Sequence, residues 1–285
     1  MSFGINLLIL IAIMMIKVFC SEDLGTVGLT IKPIEESHSA PPDLKYHRKL
    51  ISLPANYDFS TAFPSCNPSA KNKGTCGNDY AFTTSSVIEL RRCRKLGVYV
   101  ALSPQDLTSC DQHNNGCKGG NGLYSFLYGE RYGLRTEACS PYSDEYKMNK
   151  ISFTSACRLN CFDLSRNNIR YFCKKGTSMT VDFTDDVKNE IYLRGPVFLL
   201  IHSYQDFSDL GAHITPYKAA TSSNSLLGTH SVTLIGWGTT GTVDYWLILN
   251  SWSTSWGNKG KAMIDKTDTL TLPSSLTYVS YCIIP

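Results

Sequence analysis

The segment Asn72-Lys73-Gly74-Thr75-Cys76-Gly77-Asn78-Asp79-Tyr80-Ala81-Phe82 contains the clearest structural signals of the sequence. Its second half predicts a helix over Asn78–Lys95, because asparagine is a good N-cap and an acidic residue such as Asp79 is favourable in a first turn. Basic residues crowd the far end of this segment before Gly97, which is typical of a helix C-terminus. The stretch therefore predicts a long helix that begins on an acidic side chain.

The first half of the chain favours helices, and the second half favours strands. A capping serine starts a second helix at Ser103-Pro104-Gln105-Asp106, and apolar spacing predicts a third over Asn121–Tyr132. A short helix is expected over Thr184–Leu193, and β-prone runs follow at Val197–Ile201, Ser231–Ile235 and Tyr245–Leu249. This order predicts an α+β protein of two lobes, one mainly helical over about 75–165 and one β-rich over about 166–270.

Length and charge exclude some classes of function. The chain has 285 residues, enough for one large core or two modest lobes, and a formal net charge of only +3. Such a balance gives no reason to expect nucleic acid or an acidic membrane surface as a partner.

The N-terminal region has the pattern of a secretory protein. An apolar run and a short cleavage-like stretch predict a signal peptide over 1–20, with an uncleaved signal anchor as the alternative. Residues 21–52 are polar and are interpreted as a short pro-segment or linker, so the folded domain is expected over 53–285. No membrane span is expected after signal cleavage, because no later apolar run reaches about twenty residues.

The cysteine count favours disulfides. The chain has eleven cysteines, and removal of Cys20 with the signal leaves ten, an even number that indicates bridges in a secreted protein. Structural zinc would need paired Cys-x-x-Cys knuckles, which the sequence lacks. We therefore expect no metal and no cofactor.

Four segments carry a resemblance to a known family. They are the opening stretch 72–82, Cys117-Lys118-Gly119-Gly120, Gly228-Thr229-His230-Ser231-Val232, and Tyr245-Trp246 through Asn250-Ser251-Trp252 to Trp256-Gly257. In this order they resemble the papain family of cysteine peptidases, and finer points such as Leu53-Pro54-Ala55 resemble its cathepsin B-like branch. The resemblance implies a helical lobe and a β-barrel-like lobe with a cleft between them, the chain termini crossing from one lobe to the other.

The resemblance also implies a catalytic layout. Family members use a cysteine at the start of the long helix, a histidine across the cleft, an asparagine that orients the imidazole and a glutamine that helps hold the oxyanion. His230 and Asn250 match the histidine and asparagine positions, whereas Asp79 stands at the cysteine position and Lys73 at the glutamine position. We hypothesise that Asp79, His230 and Lys73 form a compensated ionic cluster in place of the catalytic pair.

Further positions follow from the same resemblance. It implies a peptide-binding groove with Gly119, Gly120 and Trp252 in its walls and Val279 near the main side-chain pocket. It also implies disulfides, which are Cys66–Cys93, Cys76–Cys117, Cys110–Cys157 and Cys139–Cys161. Elimination leaves Cys173–Cys282, which the resemblance does not supply. The stretch between Cys139 and Cys157 is shorter than the occluding loop of the branch and has no histidine, so trimming of dipeptides from C-termini is not expected.

Three functions remain open at this point. The leading hypothesis is an inactive homologue of a cathepsin B-like peptidase, a monomer that binds peptides or cystatin-like inhibitors and resides outside the cell or in a lysosome-like vesicle. The alternative is an active cysteine-type endopeptidase of the papain family that carries out proteolysis in a lysosomal or secreted setting. A remote third hypothesis is an ester hydrolase with Asp79 as general base.

Overall fold

A computed structural model of the protein describes residues 52–66, 69–143, 157–158, 160–220 and 225–285. Its helices are α1 (Phe59–Ala62), α2 (Asp79–Leu96), α3 (Pro104–Cys110), α4 (Gly122–Arg131), α5 (Val187–Arg194) and α6 (Gln205–Ser208). Its strands are β1 (Tyr57–Asp58), β2 (Leu134–Arg135), β3 (Arg170–Tyr171), β4 (Met179–Asp182), β5 (Val197–Tyr204), β6 (Leu226–Thr240), β7 (Val243–Leu249), β8 (Lys261–Asp265) and β9 (Tyr278–Tyr281). The expected mixture of helices followed by strands is confirmed. The expected signal peptide and, apart from Ser52, the expected pro-segment lie outside the described residues.

Helix α2 runs almost where the sequence predicts. It ends at Gly97, which adopts the left-handed conformation (φ 74°) and donates its N–H to the Cys93 carbonyl. Asn78 takes the N-cap position, but its side chain makes no capping hydrogen bond and instead donates to Thr108 Oγ1 at 2.9 Å. Arg91, one of the basic residues near the end of the helix, is buried.

The strands form one large antiparallel sheet in the order β4-β9-β5-β6-β7-β8, and β1 adds to β6. Apolar residues of β5, β6 and β7 alternate into a common core with buried side chains of α5, which explains why these runs pair rather than stand alone. The barrel-like lobe implied by the resemblance is corrected here: in the described part of the chain, β4 and β8 are opposite ends of the strand order and the sheet does not close.

Helix α2 packs between the other helices and the sheet. Its buried residues Ile88 and Val87 share a core with Phe126 of α4 and Phe198 of β5. The Phe126 and Phe198 rings meet edge to face with centroids 6.4 Å apart. This packing fixes the N-terminus of α2 against the middle of β6, and Thr83 Oγ1 donates to the Ser231 carbonyl at 3.0 Å.

Five disulfides brace the fold. Their pairing is the expected one, Cys66–Cys93, Cys76–Cys117, Cys110–Cys157, Cys139–Cys161 and Cys173–Cys282. Cys76–Cys117 ties the loop before α2 to the glycine-rich segment that follows Cys117, so it brings two of the family-like motifs together. Bridges of this kind restrict the unfolded chain and contribute about 2–4 kcal/mol each.

A buried ion pair supports the helical part. Ser103 caps α3 as expected, its hydroxyl accepting the Asp106 N–H at 3.0 Å. The Asp106 carboxylate then holds the Arg135 guanidinium, and both side chains are at most 2% exposed. Asp106 thus connects the start of α3 to strand β2, a role that the capping pattern alone did not reveal.

Candidate active site

The central contact joins the N-terminus of α2 to strand β6. Asp79 is the first residue of the helix, and His230 lies in β6 opposite Ile201 of β5. The His230 Nδ1 atom is 3.1 Å from Asp79 Oδ2, and the His230 Nε2 atom is 2.8 Å from Asn250 Oδ1. The structure therefore brings together three residues that are far apart in the sequence.

Both ring nitrogens of His230 lie beside oxygen atoms. A carboxylate only accepts, and Asn250 Oδ1 also accepts the Ser251 N–H at 2.7 Å, which identifies that atom as the amide oxygen. The site therefore fits an imidazolium, which forms an ion pair with Asp79 when the ring is protonated.

Ser231 completes the environment of the carboxylate. Its backbone N–H and its hydroxyl both donate to Asp79 Oδ2, at 2.5 and 2.9 Å. Sequence reasoning missed this role, although the residue stands in the quoted segment where the family form GGHAV has an alanine after the histidine. That departure from the family form was the available signal, and the extra hydroxyl fits an anion at position 79.

Several effects act on the pKa of Asp79. Burial raises this pKa. The hydrogen bond and positive charge of His230, the Ser231 N–H and the charge of Lys73 lower it by more than burial raises it, so the net pKa lies below its usual value. The side chain keeps 17% of its exposure, so the carboxylate is held firmly yet faces the cleft. Asp79 is therefore an anion throughout the neutral and mildly acidic range.

This lowered pKa predicts an acid-dependent loss of stability. A carboxylate with a folded-state pKa below its unfolded value of about 3.9 stabilises the fold above that value and loses this contribution as the pH falls through the folded-state pKa. We expect wild type to be more stable than Asp79→Asn near neutral pH, with the difference shrinking below about pH 4. Urea unfolding with the disulfides intact measures it, and a difference that does not change toward acid pH would contradict the prediction.

Lys73 does not join the Asp79–His230 pair directly. Its ammonium donates to the Cys76 carbonyl at 2.7 Å, and no ion pair links it to Asp79 among the described residues. Burial lowers the pKa of Lys73, and the charge of Asp79 only partly opposes this shift. In the hypothesised ionic cluster, Lys73 therefore acts on Asp79 through the charge of its ammonium and not through direct contact, because its side chain is held by the loop before α2.

Aromatic rings hold the imidazole in place. The Trp252 ring stacks on His230 with centroids 4.4 Å apart and an interplanar angle of 22°. Trp256 meets Trp252 edge to face at 5.4 Å, and its Nε1 donates to the Phe207 carbonyl. His230 and Asn250 are each 4% exposed, so this packing shields their hydrogen bond from water.

A cleft of about 400 Å³ opens in front of this pair. The cleft is lined by residues from both halves of the chain, namely Lys73, Gly77, Asp79, Cys117, Lys118, Gly119, Gly120, Leu200, Ser203, Ser208, Leu227, Gly228, Thr229, His230, Ser231 and Trp252. The predicted groove residues Gly119, Gly120 and Trp252 are among them. A side chain at Gly120 would collide with Asn114 and Tyr80, so glycine keeps this wall flat.

Val279 lies elsewhere. It is fully buried in β9, opposite Leu199 of β5, within the core of the sheet. It is absent from the described lining of the cleft. Its side chain is taken up by the core, so we assign it a packing role instead of the pocket position that the resemblance implied.

The described residues contain neither a candidate metal site nor a candidate membrane span. No group of three or more His, Cys, Asp or Glu side chains there is arranged to hold a metal ion. None of the described helices combines the length and apolar character needed to cross a bilayer.

Taken together, the fold and the site define a scaffold in which the N-terminus of a long helix faces a histidine–asparagine pair across a cleft. The chain belongs to the papain family of cysteine proteases, because the model of that family matches residues 53–278. This match confirms the family that the four motifs indicated.

Individual relatives place it near cathepsin B. The cathepsin B-like cysteine proteinase 3 of Caenorhabditis elegans is 30% identical over 250 residues, which span 80% of this chain and 66% of that protein. Cathepsin B of Dictyostelium discoideum is 28% identical over 230 residues, 76% of this chain and 72% of that protein. The solved structure of procathepsin B S9 from Trypanosoma congolense superposes with a TM-score of 0.75 at 26% identity, covering 89% of this chain and 85% of the other.

Proposed function

We propose that this chain is a catalytically inactive member of the papain family that binds peptides in its cleft without cutting them. One observation carries the proposal: the side chain that faces His230 from the start of α2 is the carboxylate of Asp79. The sequence resemblance places the nucleophilic cysteine of the family at this position. The two relatives described above carry the names of a cysteine proteinase and a cathepsin, so the proposal separates this chain from them in activity and not in fold.

A carboxylate cannot replace the thiolate in this chemistry. It is a weak nucleophile toward amides, and an intermediate formed by its attack would expel the carboxylate more readily than the amine. All ten described cysteines are in disulfides, so this part of the chain offers no thiol as a substitute. Loss of the nucleophile in a serine peptidase costs about 10⁶ in turnover, and we infer a comparable loss here.

The contacts of Asp79 also argue against the ester hydrolase. A general base works best with a pKa near the operating pH and with a free lone pair directed at the proton that it removes. The pKa of Asp79 is lowered despite the burial that raises it, because His230 and Ser231 donate to the carboxylate. Oδ2 accepts from three donors, so it is a poor base.

The setting of the protein is part of the proposal. Five disulfides support a route through an oxidising compartment, with residues 1–20 as signal peptide, 21–52 as pro-segment or linker and 53–285 as the folded domain. We propose a monomer that is located outside the cell or in a lysosome-like vesicle. Its partners would be extended peptides or cystatin-like inhibitors.

The test is a search for turnover. We expect no thiol-dependent peptidase activity when purified protein is incubated with a broad peptide library from acidic to neutral pH. Calorimetry with an extended peptide and with a cystatin-type inhibitor then measures whether the cleft binds. A rate that disappears with a cysteine-directed inhibitor would overturn the inactive reading, and absence of binding to both ligands would remove the groove from the proposal.

The active endopeptidase stays as the second candidate, because the named relatives are cysteine proteinases. The variant His230→Ala separates the two candidates. If a measured rate belongs to this protein, it should fall with this variant, whereas a contaminating peptidase would be unaffected. A rate that resists thiol reagents but requires His230 would identify a different nucleophile.

A further inference from the structure

The charges that line the cleft do not balance. Four charged side chains face it, namely Lys73, Lys118, Asp79 and His230. His230 Nδ1 lies 3.1 Å from Asp79 Oδ2, so these two side chains are already paired with each other, and the pair is neutral when the ring is protonated. Two ammonium groups are left, and among the described residues neither forms an ion pair.

The first ammonium, that of Lys73, is already held in place. Its Nζ donates to the Cys76 carbonyl at 2.7 Å, and an ammonium has three hydrogens, so two remain for a ligand. Burial lowers the pKa of Lys73 because the ammonium is poorly solvated. A bound anion would stabilise this positive charge in place of the missing water. A fixed and poorly solvated cation is well prepared to bind a carboxylate.

The second ammonium, that of Lys118, stands on the glycine-rich wall. The side chain is exposed and the next residue, Gly119, has a φ of 104°. A Cβ atom at Gly119 or at Gly228 would meet nothing within 4 Å, so the space in front of both glycines is open to a ligand. Leu200 and Leu227 give the same cleft apolar surface, which suits a peptide better than a free ion.

We propose that the cleft selects peptides that carry a carboxylate, held by Lys73 and Lys118 beside the Asp79–His230 pair. This inference rests on the proposed function, because it needs a groove that still admits peptides. The carboxylate has two sources, an acidic side chain or the C-terminus of the peptide. Either would form charge-assisted hydrogen bonds with Lys73, which are stronger than neutral ones.

Four synthetic peptides of one extended sequence test the proposal with the full chain. They carry glutamate or glutamine at one central position, and a free carboxylate or an amide at the C-terminus. Calorimetry should give a dissociation constant about tenfold lower for the preferred acidic peptide than for its neutral counterpart. Whichever position shows the difference identifies the source of the carboxylate, and raising the salt concentration should reduce it.

Matched variants assign the preference to the two lysines. Lys73→Gln and Lys118→Gln should each lower the acidic-to-neutral affinity ratio, and the double variant should bring it close to one. Lys175→Gln, at an exposed lysine outside the cleft lining, should leave the ratio unchanged.

The outcomes separate this inference from the proposed function. Acidic and neutral peptides that bind equally would overturn the carboxylate preference and leave the peptide groove standing. A preference that survives in the double variant would overturn the assignment to the lysines. Failure of all four peptides to bind would overturn the groove itself, and the preference with it.

Discussion

Replacement of Asp106 by asparagine is expected to lower the free energy of unfolding by about 3–5 kcal/mol. Asp106 Oδ1 accepts from Arg135 Nε at 2.8 Å and from Nη2 at 2.5 Å, while Oδ2 accepts the Arg135 backbone N–H at 3.1 Å. The aspartate side chain is 0% exposed and the arginine side chain 2%. The amide has the same shape but no charge, so it would leave a buried guanidinium without its counter-ion.

Chemical denaturation at neutral pH with the disulfides intact measures this loss. Asp182→Asn is the control, because it makes the same chemical change at an exposed carboxylate of β4 and should alter stability by no more than about 0.5 kcal/mol. Arg135→Met combined with Asp106→Asn should be less destabilising than the sum of the two single changes, since it removes the stranded charge. If Asp106→Asn costs no more than the control, the pair does not stabilise the fold in this way.

The elements of the fold were largely readable from the sequence, because capping and periodicity are local. Gly97, Ser103 and the apolar run of β5 each mark an element within a few residues of its observed end. The burial of Arg91 was not readable in this way, because it depends on Glu190, whose side chain forms an ion pair with it from another helix. Local signals likewise could not show that the sheet stays open, since closure depends on which strands lie at its edges.

The site shows the same division. Motifs placed His230 and Asn250, and the structure brings them within 2.8 Å of each other. The sequence could not tell that Lys73 points to a carbonyl of its own loop, because a lysine side chain has many rotamers and the choice depends on nearby acceptors. Ser231 was visible in a motif, yet its role depends on the approach of α2 to β6, which only the packed structure supplies.

Asp79→Cys is expected to create a reactive thiol where the described part of wild type has none. The new side chain would sit at the first position of an 18-residue helix and face His230 Nδ1, now 3.1 Å from the carboxylate. The helix N-terminus and the imidazolium both favour the thiolate. A drop in thiol pKa from about 8.5 to about 5.5 raises the thiolate fraction at pH 6 by about 200-fold. Each thiolate is then about 20-fold less nucleophilic, because nucleophilicity falls with the pKa.

Labelling at pH 6 by an alkylating reagent should therefore be about tenfold faster than for an ordinary exposed thiol. Asp79→Ser controls for labelling elsewhere, because it has the same backbone and no sulfur. Asp79→Cys with His230→Ala should still be labelled near pH 8 but lose the advantage at pH 6, since the imidazolium is gone. Equal labelling of both thiol variants at pH 6 would mean that His230 does not act on position 79.

Turnover is the more demanding part of the same prediction. A single oxyanion donor is worth about 10²–10³ in rate. Lys73 stands where the resemblance places the glutamine donor, and the Cys76 carbonyl already accepts one of its hydrogens. Asp79→Cys with Lys73→Gln should therefore exceed the single variant in kcat.

Adding Ser231→Ala removes the hydroxyl that now lies 2.9 Å from the Asp79 carboxylate and restores the residue of the family form. If the triple variant keeps its five disulfides and reacts with the alkylating reagent, yet cleaves no peptide of the library, then the loss of activity extends beyond Asp79, Lys73 and Ser231. The cleft would then have diverged as a binding site, and His230 and Asn250 would serve to hold the charge at the start of α2.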